Sequence, residues 1–229
     1  MAEAIDYKHI GSRPVRPDGV DKVTGRAEFG GDVSLPGMII GKILRSPHAH
    51  ARIKSIDITD ALAIPGVHAV ITGEDFPGGG ISGEIDGEGG GSISDQAKNV
   101  IARDKVLYHG HALAAVAAIS DRAADRALDA IKVEYEVLSP VLDILEAIDP
   151  DSVLVNENNY TKLPEKPDRP SNIANVGNLI RGDIQEGFGR ADVVIEREYV
   201  CPMTHQGYIE PHSCLASVDE EGKGTVWCS

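Results

Sequence analysis

The stretch Ala112-Leu-Ala-Ala-Val-Ala-Ala-Ile-Ser-Asp-Arg-Ala-Ala-Asp-Arg-Ala-Leu-Asp-Ala-Ile-Lys-Val-Glu-Tyr-Glu-Val137 changes its hydrophobic period twice. Residues 112–119 form an unbroken apolar run, the pattern of a strand buried on both faces. Ser120-Asp121 then supplies an N-cap, and the spacing predicts a helix over Arg122–Ala130. Ala123, Ala127, Leu128 and Ile131 share one stripe of that helix, while Arg122, Asp125, Arg126 and Asp129 face water. Beyond Ile131 the period falls to two. Val133, Tyr135 and Val137 alternate with Lys132, Glu134 and Glu136, as in a half-buried strand. The product is a strand–helix–strand unit in an α+β setting.

Upstream, strand-like runs cover Gly37–Arg45, Ala51–Ile58 and His68–Thr72, separated by turns that carry Pro and Gly. Thr59 is read as the cap of a short helix, Asp60–Ile64, closed by Pro65-Gly66. Residues 1–21, rich in Pro, Gly and charge without periodicity, read as an extended arm. Between Gly78 and Gly91, eight of fourteen residues are glycine, mixed with Glu84, Asp86 and Glu88. No G-x-x-x-x-G-K-[ST] occurs there, and acidic side chains repel phosphate, so a mobile surface loop is expected.

Downstream, Pro140 ends the strand and a second helical stretch is expected over Asp143–Ile148. Residues 149–178 carry Pro150, Pro164, Pro167 and Pro170 and read as an extended connection. Gly182–Phe188 is expected to make one or two helical turns. Val193, Ile195, Arg197 and Tyr199 then alternate with Val194, Glu196, Glu198 and Val200, a strand period. Ser213–Val218 and Thr225–Cys228 read as a hairpin turning through Asp219–Gly224. The last residue, Ser229, falls inside its second strand, an exposed edge that the pattern expects another chain to cover.

The chain has 229 residues, enough for one large or two small domains with an unstapled core. Its 22 basic and 36 acidic residues leave a net charge of −14, which argues against nucleic acid or an anionic membrane as partner. Aromatic residues are 4%, too few for base-stacking platforms. The N-terminus has no apolar run of the signal-peptide kind, so a cytoplasmic location is expected. Cys201, Cys214 and Cys228 lack a C-x-x-C spacing and are expected to be reduced, buried thiols.

Two histidine pairs, His48/His50 and His109/His111, have the i, i+2 spacing that shares one face of a strand. No acidic or Cys third ligand stands at a fixed offset, so the structural reading is preferred and no metal site is assigned. Cys201-Pro-Met-Thr-His-Gln-Gly-Tyr-Ile-Glu-Pro-His212 gathers a hydroxyl, imidazoles, an amide, a phenol and a carboxylate. It has no G-x-S-x-G, and Cys201 has no evident activator. Two readings stay open: a hydrogen-bonded turn at an interface, or the approach to a cofactor held mostly by other residues.

Several of these segments, in this order, resemble the large subunit of the molybdenum hydroxylases, the xanthine dehydrogenase and aldehyde oxidase family. They are Val23-Thr-Gly25 with Asp32; Arg45-Ser-Pro-His-Ala-His-Ala-Arg-Ile53; and Ile64-Pro-Gly-Val-His-Ala-Val-Ile-Thr72. Next comes Val106–Ala124 with its Gly-x-x-x-Ala-x-Val motif, in which many relatives carry Gln at the position of His111. Val133-Glu-Tyr-Glu-Val-Leu-Ser-Pro-Val141, Gly182-Asp183 and Glu210-Pro-His212 complete the series.

The resemblance implies an extended arm over 1–24 and an α/β hammerhead domain over 25–140. It further implies a linker over 141–181 and the first strands of a molybdenum-cofactor-binding domain over 182–229. The implied activity is oxidative hydroxylation of an aldehyde or heterocycle C–H, with water as oxygen source, by a complex in which this chain is not active alone. Purines, aromatic acyl-CoA thioesters and carbon monoxide are equally open as substrates. The implied cofactors are a molybdenum–pterin group bound mainly outside this chain, with iron–sulfur clusters and FAD on partner subunits. In the family pattern the glutamate base and the pterin contacts follow the Thr-Val-Trp strand, beyond Ser229. The resemblance therefore assigns no catalytic, cofactor-binding or metal residue here, and it gives Glu210 a structural or supporting role. The expected departure is truncation: either a split gene or a fragment. The alternative reading is a non-catalytic hammerhead scaffold or interaction module.

Overall fold

The computed structural model describes residues 8–76, 84–85, 91–92, 97–163, 165 and 167–229. Its strands are β1 Ile40–Arg45, β2 Ala51–Asp57, β3 Val67–Thr72, β4 Glu84–Ile85, β5 Gly91–Ser92, β6 Lys105–Val106, β7 Ala112–Ala118, β8 Lys132–Val137, β9 Cys214–Val218 and β10 Gly224–Cys228. Its helices are α1 Gly19–Thr24, α2 Thr59–Leu62, α3 Asp121–Ala130, α4 Ile144–Ile148 and α5 Ile184–Gly189, with 3-10 turns at Gly30–Asp32 and Gly73–Asp75. The chain divides into two compact units, Met38–Val194 and Met1–Gly37 with Ile195–Ser229.

In the first of these units every named strand pair is antiparallel. One sheet has the order β1-β7-β3 and another β6-β2-β8. The expected strand–helix–strand unit is present, and it joins the two sheets: β7 is the centre of the first, β8 an edge of the second. Burial explains the central place of β7. Ala114, Val116 and Ala118 pack with Ala123, Ala124 and Ala127 of α3, Ala61 of α2 and Val70 of β3. On the other side Leu113 meets Ala51, Ala102 and Val106. Alanines on both partners bring helix and sheet close together, and the stripe is wider than the spacing predicted, since Ala124 is also buried.

Ser120 caps α3 as expected, its hydroxyl accepting the Ala123 N–H at 3.3 Å. Lys42 on β1 reaches Asp125 at 2.6 Å and Asp121 at 3.2 Å on the helix's solvent face. At α2 the cap differs from expectation. Thr59 is the first helical residue and its side chain makes no cap. The Asp57 carboxylate instead accepts the Thr59 N–H at 2.9 Å, a bond that also lowers the Asp57 pKa. The loop between α2 and β3 turns at Gly66, whose φ is +91°. A Cβ there would lie 2.8 Å from Ile119 Cγ1, so glycine alone fits both backbone and neighbour.

After β8, Asp143 caps α4 by accepting the N–H groups of Leu145 and Glu146. Residues between α4 and α5 form an extended path tied by an isolated parallel bridge, Lys162 to Asn175, and by Asn159, whose amide donates to the Ser171 carbonyl at 2.7 Å. Most of the glycine-rich stretch 78–91, with the loop expected there, lies outside the described residues. Within it β4 pairs with β5.

In the other unit, α1 lies inside the segment read as an arm and buries no side chain. β9 and β10 form the predicted hairpin, from Cys214 opposite Cys228 to Val218 opposite Gly224. The alternating stretch 193–200 makes no strand, and Val193, Ile195, Tyr199 and Val200 are strongly exposed. A period of two needs a ladder partner, and none of the named strands pairs with it.

Among the described residues, no helix is long and apolar enough to cross a membrane.

Candidate functional site

Two clusters hold the residues that the sequence singles out. In the unit Met38–Val194, the segment Ser46–His50 is stitched to the turn Tyr108–His111. The Ser46 N–H donates to the His111 carbonyl at 2.9 Å, and the Gly110 N–H donates to the Ser46 carbonyl at 3.0 Å. Arg45 Nη1 donates to the Gly110 carbonyl, and the His48 N–H to Ser46 Oγ, both at 3.0 Å.

His111 is fully buried and both ring nitrogens are used. Nδ1 accepts the Leu107 N–H at 3.2 Å and Nε2 donates to the Asn99 carbonyl at 2.7 Å, which fixes the neutral tautomer. Burial lowers its pKa, with the Asn99 carbonyl opposing. Tyr108 stacks on its ring at 4.4 Å.

His50 is also buried. Its Nδ1 donates to the Ser139 carbonyl at 2.7 Å, while Nε2 has no hydrogen-bond partner among the described residues. His48 packs edge-on against Tyr135 at 4.8 Å. Burial raises the Tyr135 pKa, and the Ser46 hydroxyl offsets part of that. His109 is exposed.

The i, i+2 argument fails for both histidine pairs because each lies just before a strand, where side chains do not alternate about a pleat. Among the described residues no three His, Cys, Asp or Glu side chains converge to hold a metal ion. This cluster is a structural clasp. The sequence favoured a structural role for these histidines but could not name the partners, since the bonds of Arg45 and Ser46 cross 64–65 residues to Gly110 and His111 and that of His50 crosses 89 to Ser139.

In the other unit, His205, Tyr208 and His212 form a tilted aromatic series, with centroids 4.9 and 4.6 Å apart. The Gly207 N–H donates to His205 Nδ1 at 3.0 Å, and Thr204 Oγ1 donates to the Pro202 carbonyl at 3.2 Å. Each of these bonds is local, linking residues two apart in the chain. Glu210 reaches the 3-10 turn, its Oε1 accepting the Gly30 N–H at 3.4 Å.

Ser229 ties the hairpin end to the same place. Its hydroxyl accepts the Ser213 N–H at 3.1 Å and donates to the Pro211 carbonyl at 3.3 Å. Ser213 Oγ is buried with no partner among the described residues, and a Cβ on Gly30 would stand 2.8 Å from it. A side chain at position 30 would require the Ser213 hydroxyl to turn away.

The cysteines correct an expectation. All three are free, but all are exposed rather than buried. Cys214 and Cys228 sit on the outer face of the hairpin, whose other face carries the half-buried Leu215 and Trp227.

Known proteins share both the sequence and the fold. Residues 24–139 match the aldehyde oxidase and xanthine dehydrogenase a/b hammerhead domain, and residues 165–229 match the molybdopterin cofactor-binding domain. The chain is 35% identical to a probable xanthine dehydrogenase component from Bacillus subtilis, over 93% of its own length and 26% of the relative's. It is 34% identical to the nicotinate dehydrogenase large molybdopterin subunit of Eubacterium barkeri, over 96% of its length and 47% of the relative's.

The structure superposes on the Cu,Mo-CO dehydrogenase in its carbon-monoxide-reduced state with a TM-score of 0.73 and 30% identity, covering 95% of this chain and 27% of that one. The chain thus spans about a quarter to a half of the length of these relatives. With a hammerhead match over half its residues and the cofactor-domain match following in order, the chain belongs to the aldehyde oxidase and xanthine dehydrogenase family.

Proposed function

We propose that these residues are the N-terminal part of the molybdenum-binding component of a hydroxylase complex, which oxidises an aldehyde or heterocycle C–H with water as the oxygen source. The observation that carries the reading is the order of the two matched domains, 24–139 and then 165–229, along one chain. Within it, residues 1–24 are an arm, 25–140 the hammerhead domain, 141–181 a linker and 182–229 the start of the cofactor-binding domain. Names of relatives such as "large molybdopterin subunit" and "large chain" support assembly with other subunits. In this reading those partners carry iron–sulfur clusters and FAD, and the complex is cytoplasmic.

The turn and hairpin over residues 201–229 do not fit the molybdenum–pterin group by themselves. Residues 201–229 carry one lysine against four carboxylates, a poor set for an anionic phosphate. Their one buried side-chain oxygen without a partner among the described residues is Ser213 Oγ. The part these residues play is to position: the Gly30, Glu210, Ser213 and Ser229 contacts fix where the hairpin ends, and polypeptide outside these residues supplies the rest of the cofactor site.

Size-exclusion chromatography of the untagged protein from its native extract tests the reading. Elution in a complex with larger chains is expected. Elution of the protein alone, at the 24.3 kDa of its 229 residues, would overturn it.

A further inference from the structure

The hairpin β9–β10 holds two thiols opposite each other. Cys214 and Cys228 are Cα partners in the antiparallel register. The ladder's hydrogen bonds settle what kind of pair they make. At one end the Ser229 N–H donates to the Ser213 carbonyl at 3.3 Å, and at the other the Asp219 N–H donates to the Lys223 carbonyl at 3.1 Å. Hydrogen-bonded and non-hydrogen-bonded pairs alternate along such a ladder. Counting inward from either end puts Cys214 and Cys228 on a non-hydrogen-bonded pair, the kind whose side chains approach most closely.

Such pairs have Cα atoms about 4.5 Å apart, within the range of about 4.4–6.8 Å that a disulfide spans. Both residues are exposed in the 229-residue chain, so a soluble oxidant added to that chain can reach either sulfur. Cys201, the third cysteine, lies outside the ladder.

We propose that Cys214 and Cys228 are a redox-active dithiol, closed to an intramolecular disulfide by a low-molecular-weight disulfide such as oxidised glutathione. One cysteine thiolate attacks a glutathione sulfur and expels glutathione thiolate. The second cysteine thiolate attacks the mixed disulfide and expels the other. Two thiols are oxidised, one glutathione disulfide is reduced to two glutathione molecules, and both cysteine protons end on those products. The new bond locks β9 to β10 beside the Ser213–Ser229 contact.

The test uses the full 229-residue chain carrying Cys201→Ser, equilibrated in glutathione buffers of graded ratio, quenched with acid and alkylated. The two remaining thiols are expected to disappear together. Trypsin cleaves after Arg197 and Lys223, so the oxidised form should yield peptide 198–223 joined to peptide 224–229. The native equilibrium constant should exceed that in denaturant by at least about tenfold, because the ladder raises the effective thiol concentration.

Cys214→Ser and Cys228→Ser variants, each in the Cys201→Ser background, should give only a mixed glutathione adduct on the thiol that remains. In the Cys201→Ser chain itself, stable mixed adducts without the joined peptide would overturn the proposal. So would thiols that survive full oxidation, or equal constants in native and denaturing buffer.

Discussion

His111 carries a pH dependence that its hydrogen bonds explain. Protonating Nδ1 would turn it toward the Leu107 N–H that it now accepts, and burial already lowers its pKa below the ordinary 6.5. The unfolded chain therefore binds this proton more readily than the folded one. Its contribution to stability is complete above about pH 6.5 and is lost as pH falls toward the lowered folded value. Urea unfolding at a series of pH values should show stability falling below about pH 6.5 in the parent and a flatter profile in His111→Gln, whose amide can still accept from Leu107 and donate to Asn99. Equal slopes would contradict this.

Gly66 makes the second residue-scale prediction. Gly66→Ala should cost about 1–3 kcal/mol in unfolding free energy, from the positive φ and the Ile119 contact together. At this scale the sequence was only partly legible. The two histidine pairs could be singled out by their spacing, but not that His50 reaches the Ser139 carbonyl 89 residues on, nor that His111 is held between the Leu107 N–H and the Asn99 carbonyl. Nor could it be read that the three thiols are exposed, since which face of a hairpin is covered depends on what packs against it.

Elements were read best where their signals are local. β7, α3 and β8 follow from an apolar run, a cap and a change of period, all within the stretch from Ala112 to Val137. Ser120→Ala should destabilise by about 1 kcal/mol by leaving the Ala123 N–H without its cap, measurable by thermal or urea unfolding. No change would mean that water serves the N–H equally well.

The alanine contact between α3 and β7 makes a sharper demand. Ala127→Leu, at a fully buried position, should cost about 1–3 kcal/mol because the interface has no room for the extra carbons. A neutral or stabilising result would show that helix and sheet are not in close contact. Signals that need a distant partner were read less well. The alternation at 193–200 has the strand period but no named ladder neighbour, and α2 takes its cap from Asp57, two residues before the helix, rather than from Thr59.

At the scale of the whole molecule, the family was legible because many short motifs occur in one order, although none is specific alone. The catalytic residues were not. The histidines of one unit serve as a clasp, and the turn around Glu210 in the other carries too few cations for a phosphate-bearing cofactor. The net charge of −14 argues against nucleic acid or an anionic membrane as a partner.

Elemental analysis tests the central claim most directly. The native, untagged protein purified with whatever accompanies it should contain molybdenum and iron in fixed proportion to this chain. A homogeneous preparation with neither metal would contradict the account.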